Sequence, residues 1–423
     1  MSWGFPPFRG SGTFRPLAVA NALARAGVRV TVLAAARETF LVHYGADPAL
    51  ESQIDAGVDV LRIPWYPESR WPLVNDWGPV RAADPRRHVA DLNKVVPTFP
   101  EKVYDTWLPR ITDALESLHQ RDPLSLLIAT GSPYGDLEAA VTVGTAHDIP
   151  VVLDDRDSFL ADVFTGDPHP LFEARLPFAQ RWFTAAREVW FVNPPIAAWH
   201  RQRFPQFADR FHVVENGWDP GAVATDTIPP TPGEAVRMGY VGLIPSNFPM
   251  TTVLAAWEQV RSSTDIPLEL QFTGPLGYEV DSPKWRHMAE LVAAAPGVSW
   301  RGHLSRSELA GVYAELDALL LAKEGGAMVT GGKTYEYAAT GLPIAGLIDP
   351  GSDAVRVLSA YPRLHLTESL TVEAAATALA AAIDDARTGG ADRLAAAQSV
   401  GADLSRQAAL TPAVDRVLAA VRG

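Results

Sequence analysis

The sequence predicts an α/β protein of two domains, each a doubly wound parallel sheet, facing one another across a cleft. Three observations predict it. The chain has 423 residues, more than one ordinary core accommodates. Short apolar runs of strand length alternate with segments of helical spacing along nearly all of it, and that alternation implies parallel sheets covered by helices. The alternation breaks once, at Asp219–Gly233, where four Pro and two Gly fall between ordered patterns and mark a linker.

Each element follows from local pattern. Phe14 to Ala26 has helical spacing and Gly27 stops it. Val28–Leu33 reads as a buried strand, followed by strands at Val58–Ile63, Ser125–Ala129, Val151–Asp154, Val189–Val192 and Phe211–Val214. Helices are expected at Glu101–His119, Asp136–Ala146, Leu171–Ala185 and Pro195–Arg203. Beyond the linker, strands are expected at Val236–Val241, Leu268–Thr273, Val298–Trp300, Ala318–Ala322, Pro343–Leu347 and Arg363–Leu366. Helices around Thr251–Arg261, Lys284–Ala295, Ser305–Glu315 and Lys333–Ala339 separate them, and Ala-rich helices follow Val372. The expected division is residues 1–218, a linker at 219–233, a second domain at 234–400 and a C-terminal helix at 401–423 near the hinge. A doubly wound domain opens with a strand that feeds its first glycine loop. Here Gly4-Phe-Pro-Pro-Phe-Arg-Gly-Ser-Gly12 comes at once, so the first strand is expected to be absent or reduced to Met1–Trp3, with the true N-terminus upstream.

Composition removes several function classes. A hydrophobic fraction of 47% with 20% charged residues suits large cores rather than disorder. The chain has no Cys, which excludes disulfides, thiolate metal sites and Cys nucleophiles and fits a reducing, cytoplasmic compartment. No window has the length and apolarity of a membrane span, and no basic-then-apolar leader opens the chain. A net charge of −13, with neither half basic, argues against nucleic acid as a partner.

The chemistry is expected in Leu319–Pro343, which runs from a strand through a glycine-rich loop into a helix ended by Gly341. The N-terminus of a helix carries unpaired N–H groups and about half a positive charge, and so attracts phosphate. Lys333 opposes that dipole unless an anion binds there. Glu336, three residues on, shares its face and could accept from both hydroxyls of a ribose. The same residues also read as a surface ion pair, with the glycines only a loop. A phosphate loop of the triphosphatase kind is a further alternative, but five residues rather than four separate Gly326 from Gly332. Gly10-Ser-Gly12 before a helix could bring N–H groups to a pyrophosphate or be a simple turn. Leu153-Asp-Asp-Arg-Asp-Ser158 ends a strand, where ligand crevices open. There Arg156 and Asp157 could orient an acceptor and assist proton removal, or form a buried salt bridge. The His residues lack metal spacing, and His303, next to Gly302 after a strand, reads as a cleft residue or, more often for such a position, as a structural one.

Taken together, these segments resemble bacterial glycosyltransferases of the two-domain, Rossmann-like GT-B fold, in the retaining family 4 group (glycosyl transferases group 1), from Gly4 to about Leu358. The motifs that carry the resemblance are Phe5-Pro-Pro with the glycine loop and Arg15-Pro16, Ser132-Pro133, Ile149–Asp157, Val214-Glu-Asn-Gly-Trp-Asp219, Gly239-Tyr-Val-Gly242 and Gly332–Pro343. It implies a hexosyltransferase that moves sugar from a nucleoside diphosphate sugar to a hydroxyl, with retention and without a metal or other cofactor. The donor would lie mainly on the second domain and the acceptor mainly on the first. Glu336 would contact the donor ribose, Lys333 the phosphate, and Gly10 and Gly12 the pyrophosphate. Gly242, Gly274, Glu324, Gly331 and Gly332 complete the donor set, and Lys333, Glu336 and Asp157 the catalytic set.

The chain departs from that pattern at two places. Where many relatives have an acid eight positions before Glu336, Met328 stands, and Glu324 is the nearest upstream acid. Many relatives also carry Arg and Lys after the first strand of the second domain, but Leu243-Ile-Pro-Ser-Asn-Phe-Pro-Met250 has neither. This shifts the burden to Lys333, Lys323 and backbone N–H groups and leaves a catalytically degenerate binding or partner protein as an alternative. The acceptor is expected to be a glycan, a lipid-linked sugar or a small natural product. The stretch from Trp65 to Trp107, with Trp71, Trp77 and Arg86-Arg87, reads as the acceptor side, as a peripheral membrane contact, or as packing.

Overall fold

The computed structural model describes residues 1–65, 79–87, 99–101, 103–220, 223, 234–245, 247–277, 283–302, 304–326 and 328–422. The 219–233 linker, Trp71, Trp77, Lys94, Lys102 and His303 lie wholly or mostly outside them. Two compact units emerge, Met1–Glu215 with Leu410–Gly423, and Asn216–Ala409. This division places the first crossing at 215–216 rather than after residue 218. It also divides the C-terminal stretch, whose residues from Leu410 on belong with the first unit.

In the first unit, α1 (Phe14–Arg25) leads to β1 (Val30–Ala35) and β2 (Val58–Ile63). After α2 (Trp107–Arg121) come β3 (Leu127–Thr130), α3 (Gly135–Ala146), β4 (Val151–Asp154), α4 (Phe172–Ala185), β5 (Glu188–Phe191), α5 (Pro194–Arg203) and β6 (Phe211–Val213). β1 pairs with β2, and β3, β4, β5 and β6 pair in that order, all parallel. Met1–Trp3 joins the two sets. Ser2 N–H donates to Leu33 O at 3.0 Å and Ala35 N–H to Trp3 O at 3.1 Å on one side, and Thr130 N–H donates to Met1 O at 3.1 Å on the other. The reduced first strand therefore makes the pairings of a central strand. The Met1 ammonium donates to Ile128 O, and its burial lowers its pKa against the pull of Asp136.

The second unit alternates without interruption: β7 (Val236–Val241), α6 (Met250–Ser262), β8 (Leu268–Thr273), α7 (Pro283–Ala294), β9 (Val298–Trp300), α8 (Arg306–Ala314) and β10 (Ala318–Lys323). Then come α9 (Gly332–Thr340), β11 (Ile344–Ile348), α10 (Asp353–Leu358), β12 (Leu364–Leu366), α11 (Val372–Thr388), α12 (Ala391–Asp403) and α13 (Arg406–Arg422), the last running on into the first unit. The sheet order is β12-β11-β10-β7-β8-β9, all parallel, the order of a dinucleotide-binding fold with its switch point between β10 and β7.

Alternation along each strand fills two cores, because successive side chains point to opposite faces. Met238, Tyr240, Leu320, Ala322, Ala345 and Leu347 pack under α6, α7 and α11. Val241, Leu319, Leu321, Ile344 and Ile348 pack with Tyr313 of α8, Tyr337 of α9 and Leu358 of α10. In the first unit, Leu410, Ala413, Val414 and Val417 of α13 pack with Val19 and Leu23 of α1. Each such buried Val, Leu, Ile or Met side chain contributes roughly 1.5–3 kcal/mol. Among the described residues no helix is long and apolar enough to cross a membrane.

The helix expected from Glu101 begins at Trp107 instead. The Glu101 carboxylate accepts from Tyr134 and Gly135 N–H, at 2.8 and 3.1 Å. It thus serves the N-terminus of α3 rather than a helix of its own. Trp65 and Trp107, which bound the Trp-rich stretch, are both buried, and their indole N–H groups donate to Thr106 and Asp136. Those two Trp residues are packing. At Arg87, NH2 meets Asp113 at 3.1 Å.

Candidate functional site

In the second unit the site is built at the switch point. β10 ends in Lys323, the glycine loop follows, and Gly331 caps α9 with extended backbone (φ −72°, ψ 150°) and no side-chain cap. Tyr337, one turn into α9, accepts from Val241 N–H at 2.8 Å and so ties the helix to the end of β7. That contact aims Lys333, four residues earlier and on the same face, at the loop after β7.

Lys333 Nζ donates to Leu243 O at 2.8 Å and lies 4.8 Å from the centre of the Tyr240 ring. It passes over Gly242. A Cβ there would stand 2.8 Å from Lys333 Cε, and the φ of +114° is one that side chains rarely adopt. Gly274, at φ +130°, packs against Gly242 so closely that a Cβ would meet Gly242 O at 2.2 Å. Gly242 forms the floor on which the Lys333 side chain lies, and Gly274 packs against Gly242.

The rest of the expected donor set divides. Gly331 and Gly332 are exposed, with open space where a Cβ would be. The Glu324 side chain is exposed, and its backbone is tied to Asn247 by bonds of 2.8 and 2.6 Å. Lys323 faces inward to the loop: Nζ donates to Gly326 O and Val329 O, both at 3.1 Å. Burial lowers its pKa to about 8, against the pull of Asp353 and Asp349. Its contacts shape the loop from beneath, and Thr330 adds a hydrogen bond to Asp353.

Glu336 faces α8, where Arg306 NH1 meets Oε1 at 3.1 Å and the Tyr313 hydroxyl meets Oε2 at 3.4 Å. The ion pair of Glu336 is therefore with Arg306, thirty residues away in sequence, instead of the Lys333 partner considered from spacing. Arg306 also reaches Asp219 Oδ2 at 3.4 Å. Arg406 grips that carboxylate from Nε at 2.7 Å and NH2 at 3.1 Å, and donates to Asn216 O at 2.5 Å. Sequence reading missed Arg306, Tyr313 and Arg406. The available signal was Arg306 in the first turn of a helix, where a cation opposes the dipole and calls for an acid.

In the first unit, Gly10 caps the turn Ser11–Thr13 that leads into α1. A Cβ on Gly10 would strike the Phe8 ring at 2.2 Å, and one on Gly12 would strike Arg156 NH2 at 2.6 Å. Arg156 NH1 donates to Gly12 O at 2.9 Å, and Nε faces Asp157 Oδ2 at 3.4 Å. The glycine loop and the Asp-Asp-Arg-Asp segment, separate in sequence, thus meet. Asp157 is 61% exposed, so its pair with Arg156 is not the buried salt bridge considered from sequence. That bridge is Arg15–Asp154: both are buried, and Nε and NH2 hold the carboxylate at 2.8 to 3.0 Å.

The structure adds titratable groups that the sequence did not single out. Asp155 is buried and accepts from Phe159 N–H at 2.9 Å, while its Oδ2 has no hydrogen-bond partner among the described residues. Burial, reinforced by Asp157 and Asp154, raises its pKa to about 7. Burial likewise raises Glu101 to about 7 and Asp136, held by Trp3 N–H and Trp107, to about 6.

No family model matches the chain, and no curated protein matches it in sequence. Solved structures match it throughout. Sucrose-phosphate synthase from Thermosynechococcus elongatus is 16% identical with a TM-score of 0.63, over 95% of this chain and 92% of that one. HepE of Anabaena, in complex with UDP and glucose, is 11% identical with a TM-score of 0.60, over 98% of each chain. A glycosyltransferase from Rickettsia africae is 12% identical with a TM-score of 0.61, over 96% of this chain and 93% of that one. At such identities the fold alone is shared, and the chain has the GT-B fold of two Rossmann-like units.

Proposed function

We propose that the chain is a metal-independent hexosyltransferase that moves a sugar from a nucleoside diphosphate sugar to an acceptor hydroxyl with retention. The observation that carries this reading is Lys333, set on α9 after β10 and lying over Gly242 after β7, with the β10–β7 switch point between them. Open parallel sheets take their ligands at that point, outside the carboxyl ends of the strands. A cation and a helix N-terminus there suit a diphosphate. Neighbours of this fold include one bound to UDP and glucose, which supports a uridine or related donor.

In the reaction, the bond from the sugar C1 to the diphosphate breaks, a bond from C1 to the acceptor oxygen forms, and the acceptor proton passes to a phosphate oxygen. Lys333 and the N–H groups at the start of α9 stabilise the charge that grows on the departing diphosphate. Glu336 takes the ribose hydroxyls. Arg156 and Asp157 serve the acceptor side.

A titration of UDP, GDP and ADP sugars by calorimetry, followed by turnover of the one that binds, tests the reading. Lys333→Ala should lower turnover by about 100-fold or more while the thermal melt is retained; unchanged turnover sinks the role given to Lys333. The second reading, donor binding without transfer, is favoured by the lack of Arg and Lys in Leu243–Met250. Binding with neither donor hydrolysis nor transfer, across a panel of glycan, lipid and small-molecule hydroxyls, would select it.

A further inference from the structure

We propose that Arg306 is a positioning residue that makes the nucleotide site selective for a ribose with both hydroxyls, by fixing the Glu336 carboxylate. This rests on the donor-site reading above and extends it to a residue that no motif singled out.

Two adjacent hydroxyls donate to the two oxygens of one carboxylate most favourably when its plane is already held, because a freely rotating Glu loses side-chain entropy on binding. Glu336 is held at both oxygens, by Arg306 at Oε1 and by the Tyr313 hydroxyl at Oε2. A carboxylate offers about four lone-pair positions, so these two bonds leave acceptor capacity on each oxygen. Burial and the Glu336 charge raise the Tyr313 pKa well above its ordinary value, so its hydroxyl remains a donor throughout the working range of pH.

Arg306 is itself fixed. It begins α8, behind a capping box in which Ser305 and Glu308 satisfy each other's backbone. Its guanidinium is shared between Glu336 and Asp219, and Asp219 is clamped by Arg406. The Arg306 and Glu336 side chains are each 15% exposed, so the pair is more shielded than an ordinary surface pair. The cluster of Arg306, Arg406, Asp219 and Glu336 is neutral, with two charges of each sign. A neutral diol suits it, whereas a second anion on Glu336 would not. The group recognised is therefore an uncharged vicinal diol on the nucleoside, not a ribose phosphate.

The test compares affinities for UDP, ADP and GDP, each against its 2′,3′-dideoxy form, by calorimetry on the full chain. The unsubstituted protein should prefer the diol by about tenfold or more. Arg306→Gln should collapse that ratio toward one while affinity for the dideoxy form stays within about twofold, since phosphate contacts are untouched. Arg306→Lys should restore part of the ratio, because charge returns without the planar fork. Tyr313→Phe should lower it by less than Arg306→Gln. Equal loss of both ligands, or an unchanged ratio, overturns the inference. Should Arg306→Gln fail to give a cooperative melt, Arg306→Lys and Tyr313→Phe decide the same ratio. If the unsubstituted chain binds no nucleoside diphosphate, the donor-site reading fails and takes the inference with it. If it binds one without preferring the diol, the donor site stands and this inference alone falls.

Discussion

The two units share a fold class but differ in how they manage the charges around their candidate site residues. In the second unit the charged groups of the site are partly shielded and balance one another: Lys333 rests on a backbone carbonyl, and Arg306 and Arg406 bracket Glu336 and Asp219. In the first unit the acids lie deeper. Asp154 is neutralised by Arg15, whereas Asp155, Glu101 and Asp136 are held with pKa values raised by burial. The difference fits the donor role proposed for the second unit, whose paired groups would exchange partners with a ligand, while the buried acids of the first unit hold its own backbone and indole N–H groups.

The sharpest break of this comparison is Arg15→Ala. It leaves Asp154 buried and unpaired, and should destabilise the first unit by about 3–5 kcal/mol in denaturant unfolding. Arg306→Gln in the second unit should cost only about 1 kcal/mol, because that pair retains some solvent. A loss at Arg306 as large as at Arg15 would erase the distinction.

The next effect concerns pH. The folded pKa of Asp155, about 7, lies above its ordinary 3.8 because burial disfavours the charged form. Its stabilising contribution is therefore complete below about pH 4 and is lost as pH rises through about 7. Asp155→Asn should remove that slope and stabilise the first unit at pH 8 by on the order of 3 kcal/mol, with little change at pH 4. A melt difference that does not vary with pH would show the carboxyl to be ionised already. Lys323 runs the other way. Its folded pKa of about 8 lies below the ordinary 10.5, so the second unit should gain stability as pH climbs between the two.

A more modest effect than that of Asp155 is Tyr337→Phe, which removes the hydroxyl that accepts from Val241 N–H. It should cost about 1–2 kcal/mol and, by loosening α9 from β7, weaken nucleotide binding more than it weakens folding. An affinity change no larger than the stability change predicts would mean that Lys333 keeps its place without this anchor.

Much of the fold was legible in the sequence. The limits of β2, β4, β7, β8 and β9 agree residue for residue with the expected strands, because buried parallel strands are short apolar runs bounded by Gly, Pro and polar residues. Where reading failed, a distant partner overrode local pattern, as at Glu101, which caps α3 instead of starting a helix. The placing of the glycine loop after a strand, and of Lys333 and Glu336 at the start of a helix, was legible because a strand, a loop and a helix start are all local signals. Arg306 was not, and neither was the inward turn of Lys323.

By itself, the sequence determined the alternation of elements and the placing of Lys333 and Glu336 on one helix start, since both depend on neighbours within a few residues. The tertiary structure decided which charge meets which: Lys333 reaches Leu243 across 90 residues, Arg306 reaches Glu336 across 30, and Arg15 reaches Asp154 across 139. These pairings depend on strand order, which sets β10 beside β7 and Met1–Trp3 between β1 and β3. Strand order is settled by how whole elements bury their apolar faces together, which no local stretch of sequence encodes.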